Sequence, residues 1–248
     1  MNLAPLEMSV PAGDGLILKG TLTYPAPYAG ADFPLAILAH QYPATRDSYS
    51  PLSRDLVQSG IATLAFDERG HGASLVSPNG PLVIDTPVGL GAEAFGTAFV
   101  SSASKVGFAR IDDDILRVAS WGANQNFIDS TRLALVGASI GGSGVLLAAG
   151  KLPTLRAVAT LGAAGAPAFG PDGPGRIRQS LEKLQMPCFL ASSREDPFEA
   201  GRNVTTWSRD LTHVTGRLVP GAGHAMAIYF EVRDELLQFL RHALGVLQ

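Results

Sequence analysis

Ser139, Asp196 and His224 are the residues of this 248-residue chain whose types and order can do chemistry. Ser139 is the centre of Gly137-Ala138-Ser139-Ile140-Gly141, with the apolar run Leu133 to Val136 before it and Val145 to Ala149 after it. Strand, tight turn and helix in that order put the serine into a strained backbone conformation, and the small flanking residues let neighbouring backbone pass close by. Its hydroxyl then points into open space. The amide of Ile140, at the start of the helix, faces the same space and is placed to stabilise an oxyanion formed when Ser139 attacks a carbonyl. That is a nucleophile elbow. The competing reading of Ser139, an N-cap for the helix, explains the serine but not the glycines on both sides of it.

Asp196 stands in Ser192-Ser-Arg-Glu-Asp196-Pro197, at the exit of the run Met186 to Ala191, and His224 ends Pro220-Gly-Ala-Gly-His224 after the run Thr215 to Val219. In an open parallel sheet, working side chains collect at the carboxyl ends of the strands, because the loops emerge there. Ser, Asp and His each follow a predicted strand, in that chain order. His224 would take the proton of Ser139 and later give it to the leaving group, while Asp196 would hold the imidazole in the right tautomer. Glu195 and Glu199 compete for the acid's place. Asp196 is preferred because it directly precedes Pro197 at the strand exit, and its other reading is a cap for the next helix. The second oxyanion donor is expected from His40-Gln41-Tyr42-Pro43, through the amide of Tyr42 or of Gln41; simple packing is the alternative reading of Tyr42.

These residues need a scaffold that the rest of the chain supplies. Leu6 to Val10 and Leu16 to Tyr24 flank Ala12-Gly-Asp-Gly15 as an antiparallel hairpin, ended by Pro25, Pro27 and Gly30. Leu35 to Ala39 and Ile61 to Phe66 are continuous apolar runs, the pattern of strands buried on both faces. Helical spacing follows in Pro51 to Val57, Arg176 to Leu184 and Glu199 to Arg209, with Arg156 to Leu161 a further strand. The last helix carries the apolar stripe Phe230, Leu236, Leu237, Leu240, Leu244 and Leu247. Alternating strands and helices predict an α/β fold: a mostly parallel twisted sheet with helices on both faces. Two segments break the rhythm. Residues 74–109, with Phe95, Phe99 and Phe108, form a long insertion that reads either as a lid or substrate wall or as a surface insertion. Asp112, Asp113 and Asp114 read as capping a helix rather than as a metal site, since adjacent helix residues point apart.

With 46% hydrophobic and 17% charged residues, the chain can bury one large core, and a single domain over 1–248 is expected. A formal net charge of -3 leaves no basic stripe, so nucleic acid is not an expected partner. No run reaches the ~18 apolar residues of a membrane span. The lone cysteine, Cys188, sits in an apolar run and reads as a buried structural thiol. The expectation is a soluble, cytoplasmic protein, with a secreted form whose leader has been removed as the alternative.

Taken together, His40-Gln41-Tyr42, Asp67-Glu-Arg-Gly-His-Gly-Ala-Ser74, the elbow, Arg194-Glu-Asp196-Pro197 and Gly221-Ala-Gly-His224 resemble the α/β-hydrolase fold superfamily, most clearly from Leu35 onward. The resemblance implies a catalytic triad of Ser139, Asp196 and His224, with His40 and His71 structural. It departs from the superfamily at Gln41, where glycine is common, and at the connection 162–185, too short for a large cap. The expected activity is serine hydrolysis of a small-molecule acyl substrate, first a carboxylic ester, without metal or organic cofactor. Thioester, lactone or amide cleavage and acyl transfer use the same triad. A non-catalytic ligand-binding protein on the same fold is the competing class.

Overall fold

The continuous apolar runs become adjacent parallel strands, because a strand covered by helices on both faces has no side that must be polar. The structure, a computed structural model, describes residues 2–26, 32–89 and 91–246. Its strands are β1 (Asn2–Pro11), β2 (Ile17–Ala26), β3 (Phe33–Ala39), β4 (Ala62–Asp67), β5 (Ile128–Ala138), β6 (Leu155–Leu161), β7 (Cys188–Ser193) and β8 (Val214–Val219). Its α-helices are α1 (Ser50–Gln58), α2 (Ala92–Ser102), α3 (Ile111–Ala123), α4 (Ile140–Ala149), α5 (Gly173–Lys183), α6 (Ala200–Asp210) and α7 (Tyr229–Ala243). One sheet runs in the order β1-β2-β4-β3-β5-β6-β7-β8. β2 pairs antiparallel with β1 and β4, and from β4 to β8 every pairing is parallel.

Alternation along β3 divides the core. Leu35 and Ile37 pack with Ile111, Ile115 and Val118 of α3 and with Val145 and Leu146 of α4. Ala36 and Leu38 join Leu52 and Leu56 of α1 and Val232, Leu236 and Leu240 of α7 on the other face. The sheet is thus covered on both sides, and the carboxyl ends of β3, β5, β7 and β8 open on one edge. Among the described residues no helix is long and apolar enough to cross a membrane. Cys188 is buried, and burial pushes its thiol up to about 12.

Four expectations need correction. Pro25 does not end the hairpin: it pairs opposite Leu3, beyond Thr23, where β4 has ceased to accompany β2 and a missing N–H costs no bond on that side. Pro27 and Gly30 lie outside the described residues, as does Leu247. Phe230 leaves the stripe of α7 and is 73% exposed, because Tyr229, one residue earlier, takes the inward position. The three aspartates do fall in the first turn of α3, where their charge suits the helix start, but the N-cap is Arg110 and has no side-chain cap hydrogen bond. Asp112 meets Lys151 at 2.9 Å, Asp113 meets Arg117 at 3.2 Å, and Asp114 meets the fully buried Arg69 at 2.7 Å. Among the described residues no group of His, Cys, Asp or Glu is arranged to hold a metal ion.

Residues 74–109 are the fourth correction, since their second half is helical. α2 runs into a π-type turn over Ala103–Gly107 and a 3-10 turn over Phe108–Arg110, and so directly into α3. Buried Arg69 holds this junction by donating to the Val106 carbonyl at 2.8 Å and to Asp14 of the hairpin turn at 3.1 Å. Phe95, Phe99 and Phe108 all face Tyr42, with ring centroids 5.4, 5.4 and 6.0 Å away. The insertion therefore stands against the loop that follows β3.

Candidate active site

Ser139 sits between β5 and α4 with φ 51° and ψ -118°, a region that side chains other than glycine rarely occupy. The close approach is visible in its neighbours. A Cβ on Gly137 would lie 2.4 Å from the Gly141 carbonyl oxygen, and one on Gly141 would lie 2.3 Å from that of Ala39. Only glycines let the turn pass so near β3. The Ser139 amide donates to Leu161 at 3.1 Å, and its carbonyl accepts from Ser143 and Ala164, so the β6 exit is stitched to the elbow.

His224 follows β8 and lies between the other two residues. Its Nε2 is 2.9 Å from Ser139 Oγ and its Nδ1 is 2.8 Å from Asp196 Oδ2. An ionised Asp196 only accepts, so Nδ1 carries the proton and Nε2 is left to accept the serine hydroxyl. The Asp196 side chain is fully buried. Burial opposes its ionisation, but hydrogen bonds from His224, the Phe198 amide and Ser192 hold its carboxyl below the ordinary value of 3.8. Glu195 and Glu199 are exposed, and the carboxylate that pairs with His224 is that of Asp196.

Tyr42 is buried, with its hydroxyl donating to the Asp85 carbonyl. Gln41 is half-buried. His40 fixes this loop: Nε2 accepts the Glu68 amide at 2.9 Å, so Nδ1 donates to the Gln41 carbonyl at 3.0 Å. In a trans peptide the carbonyl and the next amide point in opposite directions. The Tyr42 N–H is therefore turned away from His40. The Ile140 amide, in the first turn of α4, has no acceptor within its own helix.

His40 and His71 are buried, their rings 4.9 Å apart. Burial pushes His40 down to about 4 and, with the charge of His40 adding to it, His71 down to about 3, against an ordinary value of 6.5. Between those values and 6.5 the unfolded chain binds more protons than the folded one, so the stability of the neutral pair is present above pH 6.5 and lost as pH falls toward 4. For His40 alone that is worth about 3 kcal/mol. Melting temperatures measured from pH 8 down to pH 4 are expected to fall steadily below pH 6.5, and less steeply in His71→Phe.

Three contributors carry no local signal in the sequence. Ser192 Oγ donates to Asp196 Oδ2 at 3.2 Å, the Phe198 amide donates to Oδ1 at 2.9 Å, and the Phe198 ring stands edge-on to His224 at 4.5 Å. Gly162, with φ +59°, is the third; a Cβ there would lie 3.1 Å from His224 Nδ1. Beside this group opens a cleft of about 410 Å³, with Ala163, Ala164, Gly165 and Phe198 among its lining residues.

Comparison with known proteins places this geometry in context. Residues 76–166 match the sequence profile of the prolyl oligopeptidase family. An uncharacterized 31.7 kDa protein of Escherichia coli, from the traX-finO intergenic region, is 30% identical over 131 residues, 52% of this chain and 37% of that protein. The chain thus matches well under half the length of this curated relative. Among solved structures, a putative dienelactone hydrolase from Klebsiella pneumoniae subsp. pneumoniae MGH 78578 superposes with TM-score 0.69 at 20% identity over 99% of both chains. Est1E from Butyrivibrio proteoclasticus with ferulic acid bound gives 0.70 at 18% identity, over 96% of this chain and 99% of that one. The esterase domain of a Rhodothermus marinus protein gives 0.65 at 17%, over 98% and 99%.

Proposed function

We propose that this chain, which has the α/β-hydrolase fold, is a serine hydrolase acting first on carboxylic esters. The observation that carries the reading is the position of His224, within hydrogen-bond distance of Ser139 on one side and of Asp196 on the other. Ser139 Oγ attacks the substrate carbonyl as its proton passes to Nε2, and Asp196 stabilises the imidazolium through Nδ1–H. The Ile140 amide receives the oxyanion together with that of Tyr42, Gln41 being the alternative second donor. A well-placed donor of this kind contributes about 10²–10³ in rate. The protonated His224 then gives its proton to the departing oxygen, and water enters against the acyl-serine by the reverse sequence. Every proton is handled by these side chains, and no metal or organic cofactor enters the cycle. The esterase and dienelactone hydrolase names of the structural neighbours agree with this class. The prolyl oligopeptidase profile over 76–166 favours peptide cleavage as the second reading.

Labelling with a fluorophosphonate tests the nucleophile without requiring the substrate. Stoichiometric modification that maps to Ser139 and disappears in Ser139→Ala is expected. Folded protein that stays unlabelled overturns the reading and brings ligand binding without catalysis forward.

A further inference from the structure

The cleft beside the triad has both apolar and polar lining residues. Besides Phe198 and the residues after β6, it is lined by Glu199 at the start of α6, by Asn203 and Trp207 one turn apart on α6, and by Pro174, Ile177 and Arg178 of α5. Among the described residues, no partner is found for the Glu199 carboxylate, the Asn203 carboxamide or the Trp207 indole N–H. Arg178 differs, being held by Glu182 at 2.6 Å and Asp210 at 3.3 Å. The cleft lining therefore offers two donor groups and two acceptor groups with unused capacity, together with a tryptophan ring. Its volume is that of a small-molecule site.

We propose that this cleft, between the β6 exit and α6, is a subsite for the departing alcohol, and that this alcohol is a neutral, hydroxyl-rich ring such as a sugar. The inference rests on the serine hydrolase reading. His224 must hand the proton taken from Ser139 to the leaving oxygen as the C–O bond breaks, and Phe198, edge-on to His224, is also part of the cleft wall. The alcohol arm thus continues past Phe198. An anionic arm would meet the Glu199 carboxylate, and a purely apolar one would leave Glu199, Asn203 and the indole N–H desolvated without partners. Hydroxyl groups both donate and accept, and the C–H face of a sugar ring fits against Trp207. Recognition of this kind discriminates, because an alcohol lacking the hydroxyls covers these polar groups without pairing them.

Three acetate esters that differ only in the alcohol test the assignment: a monoacetylated methyl xyloside, cyclohexyl acetate, and a short neutral peptide acetylated on a serine hydroxyl. The sugar ester is expected to exceed cyclohexyl acetate in kcat/KM by at least about tenfold, with Asn203→Ala lowering that ratio by about tenfold through KM. In a Ser139→Ala, Trp121→Phe background, which leaves Trp207 as the emitting tryptophan, methyl xyloside is expected to change the fluorescence saturably, and Asn203→Ala to remove the change. Turnover that favours cyclohexyl acetate, or the seryl peptide, overturns the sugar subsite while leaving the hydrolase intact. No turnover and no fluorophosphonate labelling, with a saturable Trp207 response, sinks the hydrolase and keeps the binding site.

Discussion

Replacing Ser139 with alanine is expected to lower kcat on any ester the protein turns over by about 10⁶, to the level that binding and oxyanion stabilisation sustain without a nucleophile. On the proposed mechanism the attacking oxygen is then gone, and His224 has no proton to take. The fold is expected to survive, since alanine keeps the Cβ and the side-chain hydrogen bond lost is the one to His224. The backbone strain at φ 51° also survives. Glycine at the same position gives the contrast: it removes the same oxygen but tolerates positive φ, so Ser139→Gly is expected to be equally inactive and about 1 kcal/mol more stable than the alanine variant. Steady-state kinetics with urea denaturation of both variants reads the two effects apart. Residual activity of Ser139→Ala within tenfold of the parent would remove Ser139 from the chemistry.

The scaffold was legible in the sequence because its signals are local. Leu35 to Ala39 and Leu133 to Val136 carry no polar residue, and strands covered on both faces are what such runs become. The glycines at 137 and 141 are local too, since the turn they permit lies between them. Phe230 aside, which yields its place to the adjacent Tyr229, the main failures share another cause: the deciding contact is not announced by the local residue types. Asp114 looks like a residue for a helix start until Arg69, 45 positions earlier, is brought against it. α2 has a glycine N-cap and another glycine at 96, so its own propensity is poor, and its Phe95 and Phe99 pack on Tyr42 more than fifty residues away. Phe198 and Ser192 lie close to Asp196 in sequence, yet nothing in their types says that one donates to its carboxylate and the other stands on His224.

Gly162 is the sharpest case of that kind, and it carries the second large effect. In the sequence it is merely the first residue of a Gly/Ala/Pro-rich loop, but in the fold it directly follows β6 and lies against the His224–Asp196 pair. A Cβ at this position would lie 2.9 Å from the Ala225 amide nitrogen, 3.1 Å from His224 Nδ1 and 3.3 Å from Asp196 Oδ2. The clash with backbone cannot be relieved by rotating a side chain, and φ +59° adds strain of about 1 kcal/mol or more. The segment from His224 to Ala225 already holds a non-glycine residue at positive φ, so it has little freedom to give. Relief therefore moves backbone at residue 162 or at Ala225, next to His224, and shifts the imidazole with it; a displacement of about 1 Å in a proton-transferring group costs on the order of 10² in rate. Gly162→Ala is accordingly expected to lose about 10²–10³ in kcat while remaining folded, with fluorophosphonate labelling of Ser139 slowed in parallel. Because both readouts depend on His224 as base, a variant that keeps full kcat and labelling rate would show that the imidazole does not need its present position.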